Sequence, residues 1–345
     1  MHASHQMSTL AVIDSLTTPC ALTWLLQTAE MLTGFCPSLD GPHLANQPQS
    51  RQSTVFTNYY ESIQAHTALP MTKPVLYTFG ASVWSAVPEV AFRELGYGPN
   101  DIELKTINLL QGENFSPAFL KINPKATLPT LTVGDKAYTS TEEVVDYLID
   151  NAPKPVKKAT GSEKDIIARI HQDDIDPNFA LLLSRSDEEK KARADGIVLA
   201  FLSGRQNALE KHAVTPEAAE FSDFYKAKIE GNGGLLSVYA DKAPEDAKQK
   251  FYETSKQHWE NLRDFILNVL PGYLPNSGFV AGAAPGEVDF HLGAWLTRII
   301  ATTGAKDVSE LAAELKQPVP TKVASYWKAW SDRDSWKTVY AEGLH

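Results

Sequence analysis

A proline stands at the mouth of a strand in the stretch INPKATLPTLTV, residues 122–133. Proline has no N–H to give to a ladder, so within sheets it is confined to strand ends, edges and bulges. Pro129 therefore marks where one strand begins, and the runs around it fall into order. VLYTF (75–79) reads as a buried strand. WSAVPEVAFRELG (84–96) reads as a helix, with Trp84, Val87, Ala91 and Leu95 on one side, Pro88 in its first turn and Gly96 closing it. IELKTI (102–107) alternates like a strand, and SPAFLKI (116–122) is a short helix. TLTV-GD-KAYT (130–139) is a hairpin on a two-residue Gly134-Asp135 turn, and STEEVVDYLID (140–150) is a capped helix with Val144, Val145 and Leu148 facing inward. The order β-α-β-α-β-β-α predicts one mixed four-stranded sheet. Its first strand pair, joined by a helix, is parallel, and its last, joined by a tight turn, is antiparallel.

From about residue 160 the pattern turns helical. KFYETSKQHWENLRDFILNVL spaces Trp259, Leu262, Ile266 and Val269 as one helix face, and GEVDFHLGAWLTRII does the same with Val288, Leu292, Trp295, Leu296 and Ile299. The expected organisation is a poorly ordered extension over 1–70, an α/β domain over 73–152, and an all-α domain over 160–345. The extension is sparsely charged and turn-rich. The segment 205–245 fits no part of this scheme.

The charge balance narrows the function. The chain of 345 residues carries a net charge of −10 and has a pI of about 5.4. KPVKK (154–158) is the nearest approach to a basic patch, which argues against nucleic-acid binding. No apolar run is long enough for a membrane span. The two cysteines, Cys20 and Cys36, both precede the patterned region, so neither a disulfide framework nor a cysteine metal site is expected, and a reducing cytoplasm is the expected location. HQDDID (171–176) puts His171 and Asp174 at helical spacing without a third ligand, so no metal is expected.

Three segments in register resemble glutathione S-transferases. NPKATLPTL is similar to that family's Asn-Pro…Val-Pro-x-Leu, STEEVVDYL to its Glu-Ser…Tyr-Leu helix start, and GFVAGAAPGEVDFHLGAWLTRI to the Ala-Gly…Ser-x-x-Asp segment of its helical domain. The resemblance covers about 74–345 and implies a thioredoxin-like domain followed by a helical bundle. It implies a cis bond before Pro129, which would free the N–H and C=O of Leu128 to pair with the cysteinyl peptide of glutathione. It implies that Thr141 holds the γ-glutamyl carboxylate at a helix start, and that Asn114 contacts the glycyl carboxylate. Ser140 stands where the family usually has glutamate, and Thr127 where it has lysine. Asp289 is expected to be structural, accepting from the first amides of its helix.

The family's catalytic Ser or Cys falls on Ser82, with Ser85 the neighbouring alternative. A free thiol has a pKa of about 8.5 and is only about 3% thiolate at pH 7. Lowering that to about 6.5 takes roughly 2.7 kcal/mol. A hydrogen bond to a charge supplies about 1.5–3 kcal/mol, and a helix start adds about 0.3–1. One serine suffices. No cysteine follows Met71, which argues against mixed-disulfide chemistry on a protein thiol. The expectation is a dimeric, cytoplasmic, serine-type glutathione transferase of detoxification, needing no cofactor beyond glutathione as co-substrate. It would attack hydrophobic electrophiles, or displace a leaving group reductively, in a pocket lined by Trp84, His171, Phe179 and Trp295. A catalytically weak ligand-binding or regulatory relative is the alternative.

Overall fold

The structure is a computed structural model that describes residues 72–345; the extension over 1–70, with both cysteines, lies outside the described residues. The first unit comprises β1 (Val75–Thr78), α1 (Val83–Glu94), β2 (Glu103–Thr106), α2 (Pro117–Leu120), β3 (Thr130–Val133), β4 (Lys136–Tyr138) and α3 (Thr141–Asp150). The strands lie in the order β2-β1-β3-β4. β1 and β2 are parallel, while β1–β3 and β3–β4 are antiparallel. Val133 pairs with Lys136 across the two-residue turn, where Gly134 takes φ 57°, a region that costs glycine nothing. This is a thioredoxin-like sheet, and the Leu128–Pro129 bond is cis.

Pro88 departs from expectation. The Ser82 side chain caps α1 at Val83, so Pro88 is the sixth residue of the helix and not part of its first turn. It removes the amide that would have bonded to the Trp84 carbonyl.

Helices follow: α4 (Ser162–Ile170), α5 (Pro177–Leu182), α6 (Asp187–Asp195), α7 (Val198–Ala213), α8 (Ser222–Tyr239), α9 (Glu245–Asp264), α10 (Leu270–Tyr273), α11 (Glu287–Thr302), α12 (Leu311–Leu315), α13 (Thr321–Ser331) and α14 (Asp334–Val339). α11 is not amphipathic. Every residue from Glu287 to Ile300 is buried, which makes it the central helix of the molecule. α1 packs against α11 on one side and α3 on the other. Leu76, Val87, Leu131 and Leu148 of the sheet unit accordingly share one core with Ile166, Leu262, Trp295 and Ile299 of the helical unit. A π-helical turn, Phe265–Val269, follows α9. It slips the register of the expected apolar face: Leu262 and Ile266 are fully buried, but Val269 is turned out to 37% exposure.

The segment 205–245 belongs to a helix pair, α7 and α8, that covers part of the sheet unit. α7 and α8 pack on each other and lie over the stretch from Leu109 to Ala126. Phe115, Leu120 and Ala126 of the sheet unit form a separate apolar cluster with Ala208, Leu209 and Tyr225 of the pair. The Tyr225 hydroxyl donates to the Phe115 carbonyl at 2.6 Å. The Arg205 guanidinium lies 4.7 Å from the Phe115 ring centre.

Candidate functional site: one edge of the sheet

The register brings three chain segments together. Tyr77, near the end of β1, pairs with Thr130, at the start of β3. Leu131 pairs with Tyr138, at the end of β4. The chain leaving β1, the chain entering β3 and the chain leaving β4 therefore emerge at one sheet edge. They carry Ser82, Leu128–Pro129 and Ser140–Thr141 respectively.

Ser82 is half-buried in a tight turn in which its N–H donates to the Phe79 carbonyl at 2.8 Å. Its Oγ accepts from the Ser85 N–H at 3.3 Å. That bond uses a lone pair and leaves the hydroxyl proton free to donate outward. Ser85, the neighbouring candidate, is 1% exposed, and its hydroxyl is sealed inside without a partner among the described residues. Of the two, Ser82 alone is accessible to a ligand.

Asn123 builds the entry to β3. Its Nδ2 donates to the Thr127 carbonyl (3.0 Å) and to the hydroxyls of Thr127 (3.1 Å) and Thr130 (2.8 Å). The Leu128 side chain packs with Tyr77 and Phe119. Thr127 Oγ1 reaches the Thr139 carbonyl at 3.5 Å, tying this turn to the start of α3. There Ser140 and Glu143 form a capping box: Ser140 Oγ accepts from the Glu143 N–H at 3.1 Å, and Glu143 Oε2 accepts from the N–H groups of Ser140 (3.1 Å) and Thr139 (2.9 Å). Ser140 thus already serves as a cap, and Glu143 is committed to the same motif. Thr141 is the first helical residue.

Asn114 differs from expectation. It is 3% exposed, its Nδ2 donates to the Ala126 carbonyl at 2.8 Å, and its Oδ1 has no partner among the described residues. Covered by α7 and α8, it braces the loop from within.

The four expected pocket residues separate into two pairs. The Trp84 and His171 rings stack at 3.9 Å and both are half-buried beside the Ser82 turn. Trp295 is fully buried, its indole N–H donating to the Ile175 carbonyl at 3.0 Å, and Phe179 is 4% exposed in an apolar cluster with Leu183 and Val198. Both are core residues, because the helices that carry them pack face to face instead of parting around a ligand. A cavity of about 330 Å³ does lie in the helical unit, between Ala180, Arg185, Ser255, His258 and Trp259, but none of the four lines it.

His171 and Asp174 do not share a helix face. α4 stops at Ile170, so His171 turns to His291 (Nε2 to Nδ1, 3.0 Å) while Asp174 pairs with Arg169 at 2.6 Å. No group of three metal-ligating side chains occurs among the described residues. Burial pulls His171 and His258 down to about 4 and His291 further below its ordinary value, so all three are neutral at physiological pH. Burial pushes the Asp176 carboxyl, which caps α5, up to about 7 against the bond it accepts from the Asn178 N–H. Sequence reasoning missed this buried polar group. Its members come from the chain around α5 and from α9 and α11, and meet only in three dimensions.

Asp289 is structural, though its partners differ from those expected. Its carboxylate accepts from Val280 (2.8 Å), Ala281 (3.0 Å) and Gly286 (3.0 Å), which are amides of the loop before α11, and from the Tyr326 hydroxyl (3.1 Å).

Comparison with known proteins bears on residues of this site. The family model for the glutathione S-transferase N-terminal domain matches residues 76–156. A maleylacetoacetate isomerase of Dictyostelium discoideum is 28% identical over 156 residues, which is 41% of this chain and 69% of that protein. A zeta-class glutathione S-transferase of Euphorbia esula is 34% identical over 113 residues, 31% of this chain and 49% of that protein. This chain therefore spans about half the length of the Euphorbia relative. Glutathione transferase F2 of Populus trichocarpa superposes at a TM-score of 0.47 and 16% identity, over 78% of this chain and 98% of that one. Residues 76–156, which run from β1 to just past α3 of the thioredoxin-like sheet unit, are thus similar to the glutathione S-transferase N-terminal domain, and relatives of that family match this part of the chain.

Proposed function

We propose that this chain is a glutathione-dependent transferase in which the Ser82 hydroxyl stabilises the glutathione thiolate for attack on an electrophilic carbon. One observation carries the reading: the strand register gathers an accessible, outward-donating hydroxyl, the Leu128 backbone and the start of α3 at one sheet edge. In this reading the Leu128 N–H and C=O hold the cysteinyl peptide, which lies as an added strand. The α-carboxylate of the γ-glutamyl group sits on the first amides and hydroxyl of α3. The thiol releases its proton to solvent as it meets Ser82 Oγ, which donates to the resulting thiolate and leaves its lone-pair bond to Ser85 intact. The attacking sulfur forms a bond to carbon as the leaving group departs with the bonding pair. The half-buried Trp84–His171 stack beside the turn offers the apolar wall for that carbon's substituents. The Dictyostelium relative, named an isomerase, would make reversible addition of the thiolate a second use of the same site. A homodimer in the cytoplasm belongs to the same proposal; among the described residues no helix is long and apolar enough to cross a membrane.

The test uses the full chain. It should be retained on immobilised glutathione and turn over a generic aryl halide. Ser82→Ala should keep the fold and most of the glutathione affinity. The bound thiol's pKa should rise by about one to two units, because the lost bond to charge is worth about 1.5–3 kcal/mol. Turnover at pH 7 should fall by roughly ten- to a hundredfold and partly recover at pH 9, where the thiol ionises unaided. Equal rates in wild type and variant across that range would remove Ser82 from the mechanism. Retention without any turnover would make the protein a ligand carrier.

A further inference from the structure

Arg298 sits in the last part of α11 and is only 5% exposed. Its Nη2 donates to the carbonyl of Ala81 at 2.6 Å. Ala81 immediately precedes Ser82, so the cation of the helical unit is bonded to the turn that presents the hydroxyl. Its Nε is buried without a hydrogen-bond partner, and no carboxylate lies within ion-pair distance of it among the described residues. The titratable groups that face it are Asp176, at the start of α5, and Tyr340 and His345, in the C-terminal segment after α14. None of these offers a full counter-charge at neutral pH: Asp176 is pushed up to about 7, Tyr340 is raised above its ordinary value and His345 is pulled down to about 4, each by burial. The guanidinium itself, drawn down to about 10 by burial, remains charged. A buried cation without a full counter-charge is expensive to keep. This one is placed where an anion is due in the course of reaction.

We propose that Arg298 is a positioning residue for thiol activation: it holds the Ala81–Ser82 turn by its carbonyl and supplies the positive charge that favours the thiolate received by Ser82. The inference rests on the glutathione-transferase reading and extends it to a residue of the helical unit. Covalent geometry keeps Ser82 Oγ within about 5 Å of the Ala81 oxygen. The charge therefore lies within about 8 Å of Ser82 Oγ and within about 11 Å of a thiolate bonded to it, a range at which an effective dielectric of about 20 to 40 gives a shift on the order of one pKa unit. Serine supplies the hydrogen bond and arginine the field; the two contributions come from different units and are separable.

The experiment is a thiolate titration by ultraviolet absorbance of the full chain with bound glutathione, alongside turnover of an aryl halide. Arg298→Met should raise the bound thiol's pKa by about one unit and cut turnover at pH 7 about five- to tenfold, with KM for glutathione changed less than about twofold. Arg298→Lys should restore most of the pKa. Arg298→Gln can still donate to Ala81 but carries no charge, and it should behave like the methionine variant; it decides the matter if that variant does not fold. A thiol pKa in a folded glutamine or methionine variant equal to that of wild type would overturn the proposal. So would a lysine variant as impaired as the uncharged ones, since the role would then be packing alone. The outcomes separate this inference from the reading beneath it. If wild type neither binds glutathione nor turns over, both fall. If Ser82→Ala has no effect while the arginine variants shift the pKa, the serine role and the turn-holding half of the proposal fall and only the field of Arg298 remains.

Discussion

Accepting and donating use different parts of a hydroxyl, and both Ser82 and Ser140 illustrate it. At Ser82 the cap bond consumes a lone pair and leaves the proton for a ligand. At Ser140 the cap bond likewise uses a lone pair, while the backbone N–H is taken up by Glu143 in the capping box. Ser140→Glu would place a carboxylate where the family usually carries one, yet a glutamate side chain is too long to cap in the same way. It should lower unfolding free energy by about 1 kcal/mol while tightening glutathione by up to about tenfold. Ser140→Asp keeps a good cap and adds the charge, so it should hold stability within about 0.5 kcal/mol and tighten glutathione; urea unfolding and titration calorimetry check both. Asp176 makes a second residue-scale prediction. Its carboxyl is raised to about 7 in the fold against an ordinary value of 3.8. Between those values the unfolded chain has released the proton and the folded chain has not, so this residue's contribution to stability falls as pH rises and levels off above about 7. Asp176→Asn still caps α5 and does not titrate. Its stability relative to wild type should improve by about 2–3 kcal/mol between pH 5 and pH 8, read by denaturant melts at the two pH values. The neutral buried histidines act in the opposite sense: they withdraw stability as pH falls below about 6.5, in wild type and variant alike.

At the scale of elements, local signals located the sheet unit and long-range packing decided what its surface does. Pro129, the Gly134-Asp135 turn and the Ser140 cap are local chemistry, and each stands in the structure where its sequence places it. Phe179, Trp295 and Asn114 carry types that suit a site, but their burial depends on which helices close over them, and nothing within a few residues encodes that. The same holds for His171: the end of α4 at Ile170, which separates it from Asp174, leaves no glycine or proline in the sequence to announce it. The α7–α8 pair was unreadable for a related reason. Its partner surface, Leu109–Ala126, lies about 90 residues earlier in the chain. The pair depends on one close approach. A Cβ on Gly204 would lie 2.6 Å from the Leu110 carbonyl oxygen, which is backbone and cannot swing aside. Gly204→Ala should therefore cost about 1–3 kcal/mol and loosen the pair from the loop beneath. Limited trypsin digestion should then cut faster at Lys121 or Lys125, the lysines of that loop. Unchanged cleavage and an unchanged melt would mean the pair rides free of the sheet unit.

At the scale of the whole molecule, the sheet unit and the helical unit divide the sequence patterns but not the core. Val83, Val87 and Ala91 of α1 belong to one continuous cluster with Leu292, Trp295 and Ile299 of α11. Polar contacts reinforce the same seam. Arg333 donates to Glu94 through Nε at 2.6 Å, the Ser335 hydroxyl bonds the same carboxylate, and the Ala159 N–H donates to Glu287 at 2.8 Å. Separation would expose the apolar face of α1 and leave the Glu94 carboxylate, 8% exposed in the fold, without its partners. An interface that is large and apolar suppresses independent domain behaviour. Tryptophan fluorescence, which besides Trp24 of the extension samples Trp84 in the first unit and Trp259, Trp295, Trp327, Trp330 and Trp336 in the second, and far-ultraviolet dichroism should accordingly report one coincident unfolding transition in denaturant. A fragment ending at residue 152 should fail to give a cooperative melt, although it contains the complete sheet. Glu94→Gln should weaken the seam without severing it, lowering the single midpoint while keeping the two probes superimposed. Two resolved transitions in the wild-type chain would show that the shared core does not couple the units, and that the site at the sheet edge is held by the first unit alone.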